Sequence, residues 1–493
     1  MSFKYKDFHS NFFETDRGVR QGDSIRHTLF NIFINDITRI FENENNEPVE
    51  IIDSKVGSLL FADDLIILSK SKTGLQNSLN NLSEYCDKWQ LTVNTSKTKS
   101  MIFQNNGCKP PNTFVKYKTT CIENVKEYKY LGCLISSNGS LVNCTSDLTN
   151  KARKVLFSIK SLTSKYGHLP IKVACNLFDT MVKPILTYNA EISFMDQYLK
   201  YYRAKKRSTK NNSEVDIFTF IDRTLPEKLH LSFCKNTLGT KKCSSNVAVR
   251  AELGRLPLES FISSQAIIYL ARLNNENINP LLKEAFDLTK NLNDTGIYSW
   301  YTYAKNIEEE IGVDDIQVIN CKNIKQLKQF KTVIKKCSGT YYENLLNNKI
   351  ENLNEENKIF LYKILKINKK EMEYYLGHPN FKYRQYITKF RMSDHQLLIE
   401  TGRYYKIPRS QRLCEICKNI DDEFHFFFTC TINAVPRKVI IEQFNNFYSY
   451  FKDIDDNEKM ILFLNPSTPD QIKTVVSFIE KSLELRKGDP QQS

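Results

Sequence analysis

Seventy lysines and arginines against 56 aspartates and glutamates give this 493-residue chain a formal net charge of +14. With 41% apolar and 12% aromatic residues it packs rather than stays disordered, over about two to four domains, and its basic balance favours a polyanionic partner, nucleic acid before membrane. No run of roughly 18 apolar residues and no signal-peptide pattern occurs, and thirteen scattered cysteines do not read as a disulfide framework, so an intracellular chain, not secreted and with no membrane span, is expected.

From Phe8 to Phe13 the chain reads as extended and meets a turn at Asp16-Arg17-Gly18. From Thr28 onward Leu29, Phe30, Phe33, Ile37 and Ile40 recur at three and four, an amphipathic helix, and the Asn-rich Glu42 to Pro48 reads as a loop. Two short apolar runs, Val56 to Ala62 and Leu65 to Leu68, meet at Asp63-Asp64 in the pattern of a hairpin. A helix with Leu75, Leu79, Leu82 and Trp89 on one face follows, then strands at Leu91 and Val93, Met101 to Phe103, and Tyr128 to Ile135. Beyond Ser140 the texture turns helical, with one stripe at Ala152, Val155, Leu156, Ile159 and Leu162, and a second at Val173, Leu177, Met181 and Ile185. Tyr201 to Asn212 reads as a polar connector whose Lys205-Lys206-Arg207 is a weak match to a nuclear import signal. Asp216 to Phe381 is mostly helical, with breaks at Gly254, Pro257 and Pro280, and no regular repeat is visible.

Asp63 and Asp64 carry the first chemical signal. Carboxylates inside an apolar strand pair would cost several kcal/mol, which places both at the hairpin tip. Adjacent like charges also repel unless a cation neutralises them, and Mg²⁺ takes hard oxygen ligands, often one or two carboxylates completed by substrate phosphate and water. An acidic hairpin turn without metal would look the same.

The surrounding segments narrow the reading. GVRQGDSIRHTLFNIFIND, FADD, LTVNTSKTK and YLG occur in this order within about 120 residues, and together they resemble the reverse transcriptases of non-LTR (LINE-type) retrotransposons. The resemblance implies that Gln21 and Gly22 lie against template and incoming nucleotide. It makes Asp63 a direct Mg²⁺ ligand supported by Asp64, puts Lys97 near the triphosphate, and gives Tyr130, Leu131 and Gly132 the role of a primer grip. Two Mg²⁺ ions would then activate a 3′-hydroxyl and stabilise the leaving pyrophosphate.

Two departures stand out. In the family a first catalytic aspartate lies on a strand well upstream of the glycine-bearing segment, whereas here Asp7 and Asp16 are the aspartates before Gly18 and neither has that setting. Arg26 and His27 stand where the family has a small residue and a proline that fixes the helix start. The expectation is therefore an N-terminally truncated part of a larger polyprotein, lacking fingers and any endonuclease part, and inactive as a polymerase by itself.

Near the other end, RLCEICKNIDDEFHFFFTC spaces Cys414, Cys417, His425 and Cys430 as a closed tetrahedral Zn²⁺ site would, with Phe424 to Phe428 available to pack around it. Free cysteines beside a core histidine are the alternative. RMSDHQLLIETGRYYKIPRSQRLCEIC resembles the knuckle region of the same family, and LFDTMVKPILTYNAEI, FCKNTLG and AELGRLPLESF resemble its middle. That resemblance implies a thumb whose Lys151, Arg153, Lys154 and Lys160 meet phosphates, and a knuckle that engages nucleic acid through Arg403, Arg409, Arg412, Tyr404 and Tyr405.

The expected fold class is α+β: a partial right-hand polymerase palm (1–140), thumb-like helices and connector (141–212), a helical middle (213–385), a zinc knuckle (386–445) and a tail (446–493). The expected partners are an RNA template and a DNA primer, with a nucleus-compatible location implied by the resemblance. The alternative reading is a stand-alone nucleic-acid-binding protein without catalysis.

Overall fold

The computed structural model describes residues 4–5, 7–11, 25–103, 114–208, 215–275, 277–313, 324–354, 358–366 and 371–487. Its strands are β1 (Lys4–Tyr5), β2 (Phe8–His9), β3 (Val49–Ile51), β4 (Ser54–Val56), β5 (Ser58–Phe61), β6 (Asp64–Ile67), β7 (Lys99–Ser100), β8 (Val115–Tyr117), β9 (Thr120–Asn124), β10 (Glu127–Tyr130) and β11 (Cys133–Ser136). Two compact units divide the chain: Met1–Ser140 with Asn279–Leu292, and Leu141–Ile278 with Asn293–Ser493.

The first unit is α+β. Helix α1 (Arg26–Phe33) runs into a 3-10 turn at Ile37–Phe41, and α2 (Lys72–Lys88) starts where the Ser71 hydroxyl accepts from the Gly74 amide at 3.0 Å. Ile34, Ile37, Phe41, Leu79, Leu82, Tyr85 and Cys86 form the core with Val115, Tyr117 and Ile122. Hairpin β5–β6 lays Leu60, Leu65 and Ile67 on that core and turns Leu59 and Phe61 outward, the alternation a one-sided strand pair requires. Gly57 sits where a Cβ would lie 2.2 Å from the Phe41 carbonyl oxygen, so any larger residue would push the hairpin off its support. Glu284, in the returning segment Asn279–Leu292, accepts from the Ser54 amide and hydroxyl at 3.0 and 2.6 Å.

Several sequence expectations shift here. Leu91 and Val93 pack on the core but form no strand, and the strand expected at Met101 to Phe103 shrinks to Lys99–Ser100, paired parallel to β9. Leu29, Ile32 and Phe33 are exposed, Ile32 by 69%, so the helix stripe is less covered than its periodicity suggests. Trp89 caps α2 half in solvent, against Phe33 at 5.5 Å.

The second unit is helical: α3 (Val142–Tyr166), α4 (Ile171–Leu177), α5 (Lys183–Leu186), α6 (Ala190–Ser193), α7 (Met195–Ser208), α8 (Phe218–Ile221), α9 (Leu225–Leu238), α10 (Asn246–Glu252) and α11 (Leu258–Leu273). After α12 (Pro280–Asp294), most of which belongs to the first unit, come α13 (Trp300–Ile311), α14 (Ile324–Glu351), α15 (Phe360–Leu365) and α16 (Phe381–Arg391). The chain ends in α17 (Leu398–Tyr404), α18 (Ala434–Phe447), α19 (Asp456–Leu464) and α20 (Pro469–Lys487). No described helix is long and apolar enough to cross a membrane.

In α3 the buried stripe is Ala152, Leu156 and Ile159, while Leu162 is exposed. The second stripe was misplaced by one position: Ile171, Phe178, Val182 and Leu186 are buried, and Val173 and Met181 face out. Two interleaved apolar sets run along this segment; the inward one already faces in at Ile171 and Ala174, and a π-helical turn at Phe178–Val182 keeps its spacing of four on one face. The expected connector is helix as far as Ser208, and Lys205 pairs with Glu310 at 2.7 Å.

Glu259, at the start of α11, is buried with its Oε1 unpartnered beside Glu227, Glu310 and a cluster of tyrosines. Burial, reinforced by the two neighbouring carboxylates, pushes its pKa up to about 8. The acid is thus neutral in the folded chain at pH values where the unfolded chain has ionised it, and stability falls as pH climbs from about 4.5 towards 8. Replacing Glu259 by Gln removes that loss, on the order of 3 kcal/mol by pH 7, and changes little below pH 4.5. Urea unfolding across pH checks this, and parallel pH profiles for the two proteins would show Glu259 ionised when folded.

Candidate functional site

The aspartates stand at the tip of hairpin β5–β6. Phe61 pairs with Asp64, leaving Ala62 and Asp63 as the two-residue turn, and Ala62 takes φ +52° to close it. Both carboxylates are exposed. A second hairpin, β10–β11, closes through Leu131 (φ +46°) and Gly132 (φ +83°), two successive left-handed residues that match the twist of the strands. Burial raises the Tyr130 pKa, and the Asp64 carboxylate raises it further, so the two hairpins lie within electrostatic reach of each other.

The third element is a turn. Asn94 folds it by accepting at its side-chain oxygen from the Ser96 hydroxyl (2.7 Å) and the Lys97 amide (3.3 Å), while its carbonyl accepts from the Thr98 hydroxyl. Lys97 is exposed, and its carbonyl accepts from the Tyr128 hydroxyl at 3.3 Å, which ties this turn to β10. Asp63, Asp64, Lys97 and Tyr130 to Gly132 are therefore brought to neighbouring loops of one unit. Gln21 and Gly22 lie outside the described residues, as does Asp16.

Two exposed carboxylates suit one hard cation whose remaining ligands are phosphate and water oxygens. Among the described residues no third carboxylate, His or Cys gathers with them, and described Asp7 is no exception. The donor set fits the edge of a magnesium site, not a complete two-metal site.

The second constellation is tighter. Leu413 bridges Ile420, the Cys414 amide donates to the Asn419 carbonyl at 2.7 Å, and Lys418 turns left-handed at φ +58°, which folds Cys414 and Cys417 onto one side. Asp422 caps the turn at His425–Thr429 by accepting from the His425 amide at 2.8 Å. The sulfurs of Cys414, Cys417 and Cys430 and a ring nitrogen of His425 then lie within 4.8 Å of one another. Cys417 Sγ is 3.7 Å from both other sulfurs and 3.3 Å from His425 Nε2. A tetrahedron with Zn–S near 2.3 Å has S–S edges of about 3.8 Å, so this donor set fits zinc. Burial, the largest effect, lowers the His425 pKa and keeps the ring neutral and able to ligate.

Residues with no sequence signal complete this centre. Thr429 holds His425 Nδ1 at 2.9 Å, Arg486 donates to Cys430 Sγ at 3.2 Å and to Asp421 at 2.6 Å, and Arg437 donates to the Phe427 carbonyl at 3.0 Å. Arg437 lies close in sequence; Arg486 arrives from a helix 56 residues beyond Cys430. Phe426 and Phe427 are fully buried and pack on Phe390, Phe463 and Phe478.

The expected nucleic-acid residues divide. Tyr404 and Tyr405 stand 83% and 72% exposed, edge to face at 5.3 Å. Arg412 instead turns inward, donating to the Ile407 and Ile399 carbonyls at 2.8 and 2.9 Å across Gly402, and is structural. Arg403 donates to Glu400 at 3.4 Å and Lys151 pairs with Asp147 at 2.9 Å, whereas Arg153 and Lys154 stay on the open face of α3.

The reverse transcriptase (RNA-dependent DNA polymerase) family matches residues 2–135, the stretch that holds both hairpins. Residues 2–135 are a reverse transcriptase segment of the non-LTR kind. The chain is 24% identical over 182 residues, 36% of its length, to the RNA-directed DNA polymerase from mobile element jockey of Drosophila melanogaster. It is 30% identical over 136 residues (27% of the chain) to a putative uncharacterized transposon-derived protein of Caenorhabditis elegans. Over 143 residues, again 27% of the chain, it is 29% identical to the retrovirus-related Pol polyprotein from type-1 retrotransposable element R2 of Nasonia vitripennis. These matches span 19%, 47% and 14% of the respective relatives. The reverse transcriptase match carries with it a palm-type polymerase fold, with which the α+β first unit agrees.

Purified protein should carry about one equivalent of Zn²⁺, lost in a Cys414→Ser/Cys417→Ser variant. Arg486→Ala should retain the ligands but bind zinc about 10- to 100-fold more weakly, read by chelator competition. Metal-free native protein would reject the site.

Proposed function

We propose that this chain supplies part of a retrotransposon RNA-directed DNA polymerase: the metal-binding hairpin, the lysine turn beside the nucleotide, the primer grip and a zinc knuckle. What supports this reading is the placing of Asp64 within electrostatic reach of Tyr130 inside the family-matched segment. Asp63 and Asp64 would hold Mg²⁺, which when bound neutralises phosphate charge and lowers the pKa of the attacking hydroxyl. Tyr130, Leu131 and Gly132 would set the primer end against the carboxylates, and Lys97 would hold the triphosphate by charge. Gln21 and Gly22 would meet template and nucleotide.

Nucleotidyl transfer through two metals needs a further carboxylate to bridge them, and none stands with Asp63 and Asp64 among the described residues. On this reading the chain by itself is without polymerase activity. An RNA template with an annealed DNA primer, Mg²⁺ and deoxynucleotides should give no more extension with this chain than with Asp63→Ala. Extension that disappears in Asp63→Ala would reject this part of the reading.

A second role is favoured by the exposed tyrosine pair: single-stranded nucleic-acid binding through the knuckle, with or without catalysis. Tyr404→Ala/Tyr405→Ala should weaken binding to a labelled single-stranded RNA by at least about tenfold, since base stacking contributes roughly 1–3 kcal/mol per base. Binding should also weaken steeply with salt. An unchanged affinity in the double variant would place the contact elsewhere.

A further inference from the structure

Helices α18 and α20 pack side by side and leave an open groove of about 440 Å³ between them. Its floor is Ile440 and Phe478, both buried, and Phe478 continues into the aromatic core behind the knuckle through Phe426 and Phe427. The α18 wall mixes apolar and polar side chains: Val439 and Phe447, 45% and 38% exposed, with Gln443 and Asn446 between them. The other wall is polar. Lys473, Thr474, Ser477 and Lys481 follow each other along α20 at helical spacing, with Asp470 at the near end. Neither Lys473 nor Lys481 meets an acidic partner among the described residues, and both are exposed.

We propose that this groove seats an acidic amphipathic helix of a protein partner. Two packed helices that leave Val439 and Phe447 in solvent above a buried floor of Ile440 and Phe478 present a surface that a third helix completes, through side chains at i and i+4. The two lysines stand eight residues apart on one helix, a rise of about 12 Å, which matches carboxylates two turns apart on the incoming helix. Nucleic acid fits less well. Phe447 is a single exposed ring in the open wall, too little for a run of stacked bases, and Asp470 repels phosphate at the groove's end. This surface is independent of the polymerase reading, since neither hairpin nor tyrosine pair contributes to it.

The test uses the full chain and a fluorescein-labelled helical peptide of about 15 residues, long enough to hold a helix. The peptide carries leucines at i and i+4 and glutamates on the adjoining face. Anisotropy should give saturable binding. Lys473→Glu/Lys481→Glu and, separately, Val439→Asp should each weaken it at least about tenfold, and a peptide with lysines for glutamates should not bind. Absence of saturable binding, or binding indifferent to both variants, overturns the proposal. Displacement of the peptide by a labelled oligothymidylate whose own binding falls in the double lysine variant would make this a nucleic-acid contact instead, and overturns it equally.

Discussion

A guanidinium with no exposed surface ties the second unit together. Arg391, at the end of α16, donates to both carboxylate oxygens of Glu252 at 2.7 and 3.2 Å, reaches Glu373 at 3.1 Å, and donates to the Leu464 carbonyl at 2.8 Å and to the Asn465 side chain. Tyr362 and Tyr375 donate to the same Glu252 at 2.8 and 2.5 Å, and Lys366 joins through Glu373 at 2.7 Å. Elements far apart in the chain, α10, α15, α16 and the end of α19, therefore share one buried charge network. A buried pair of this kind contributes less net stability than its Coulomb energy suggests, but it has few alternative arrangements, because losing any member strands a charge out of water. That restriction fixes α16 and α19, and through them the aromatic wall of Phe390 and Phe463 on which the knuckle's Phe426 and Phe427 rest.

The first unit relies on a different constraint. Ala62 and Leu131 both adopt left-handed backbone at hairpin tips, a conformation that costs a side chain roughly 1–2 kcal/mol and persists where the ladders on either side enforce it. The result is that Asp63 and the Leu131-Gly132 turn stand clear of their strands. Such tips can meet a substrate while the residues beneath them, Leu60, Leu65 and Ile67, stay in the core.

The cluster of Cys414, Cys417, His425 and Cys430 joins these themes. Its four donors come from a segment of 17 residues, Cys414 to Cys430, yet the charge that steadies Cys430 comes from Arg486 on the last helix, which also stacks its guanidinium 4.9 Å over Phe426. Knuckle, aromatic core and the α18–α20 groove are thus one packed body.

The sequence by itself determined what depends on local spacing. The Asp63-Asp64 hairpin, the α2 face of Leu79 and Leu82 and the Cys414/Cys417/His425/Cys430 set were legible, because turn chemistry, helical period and ligand spacing act over a few residues, whereas Tyr128 to Ile135 reads as one strand and folds as the β10–β11 hairpin. Tertiary packing decided the rest. Which of two interleaved apolar sets near Phe178 faces inward depends on the helices it meets, not on periodicity. Arg412 reads as a surface cation until Gly402 opens a place beside it, Lys205 reads as a connector charge until Glu310 arrives, and Arg486 carries no mark of its closeness to Cys430. A charge takes its role from the partner that folding brings, and that partner lies too far along the chain for any local pattern to name.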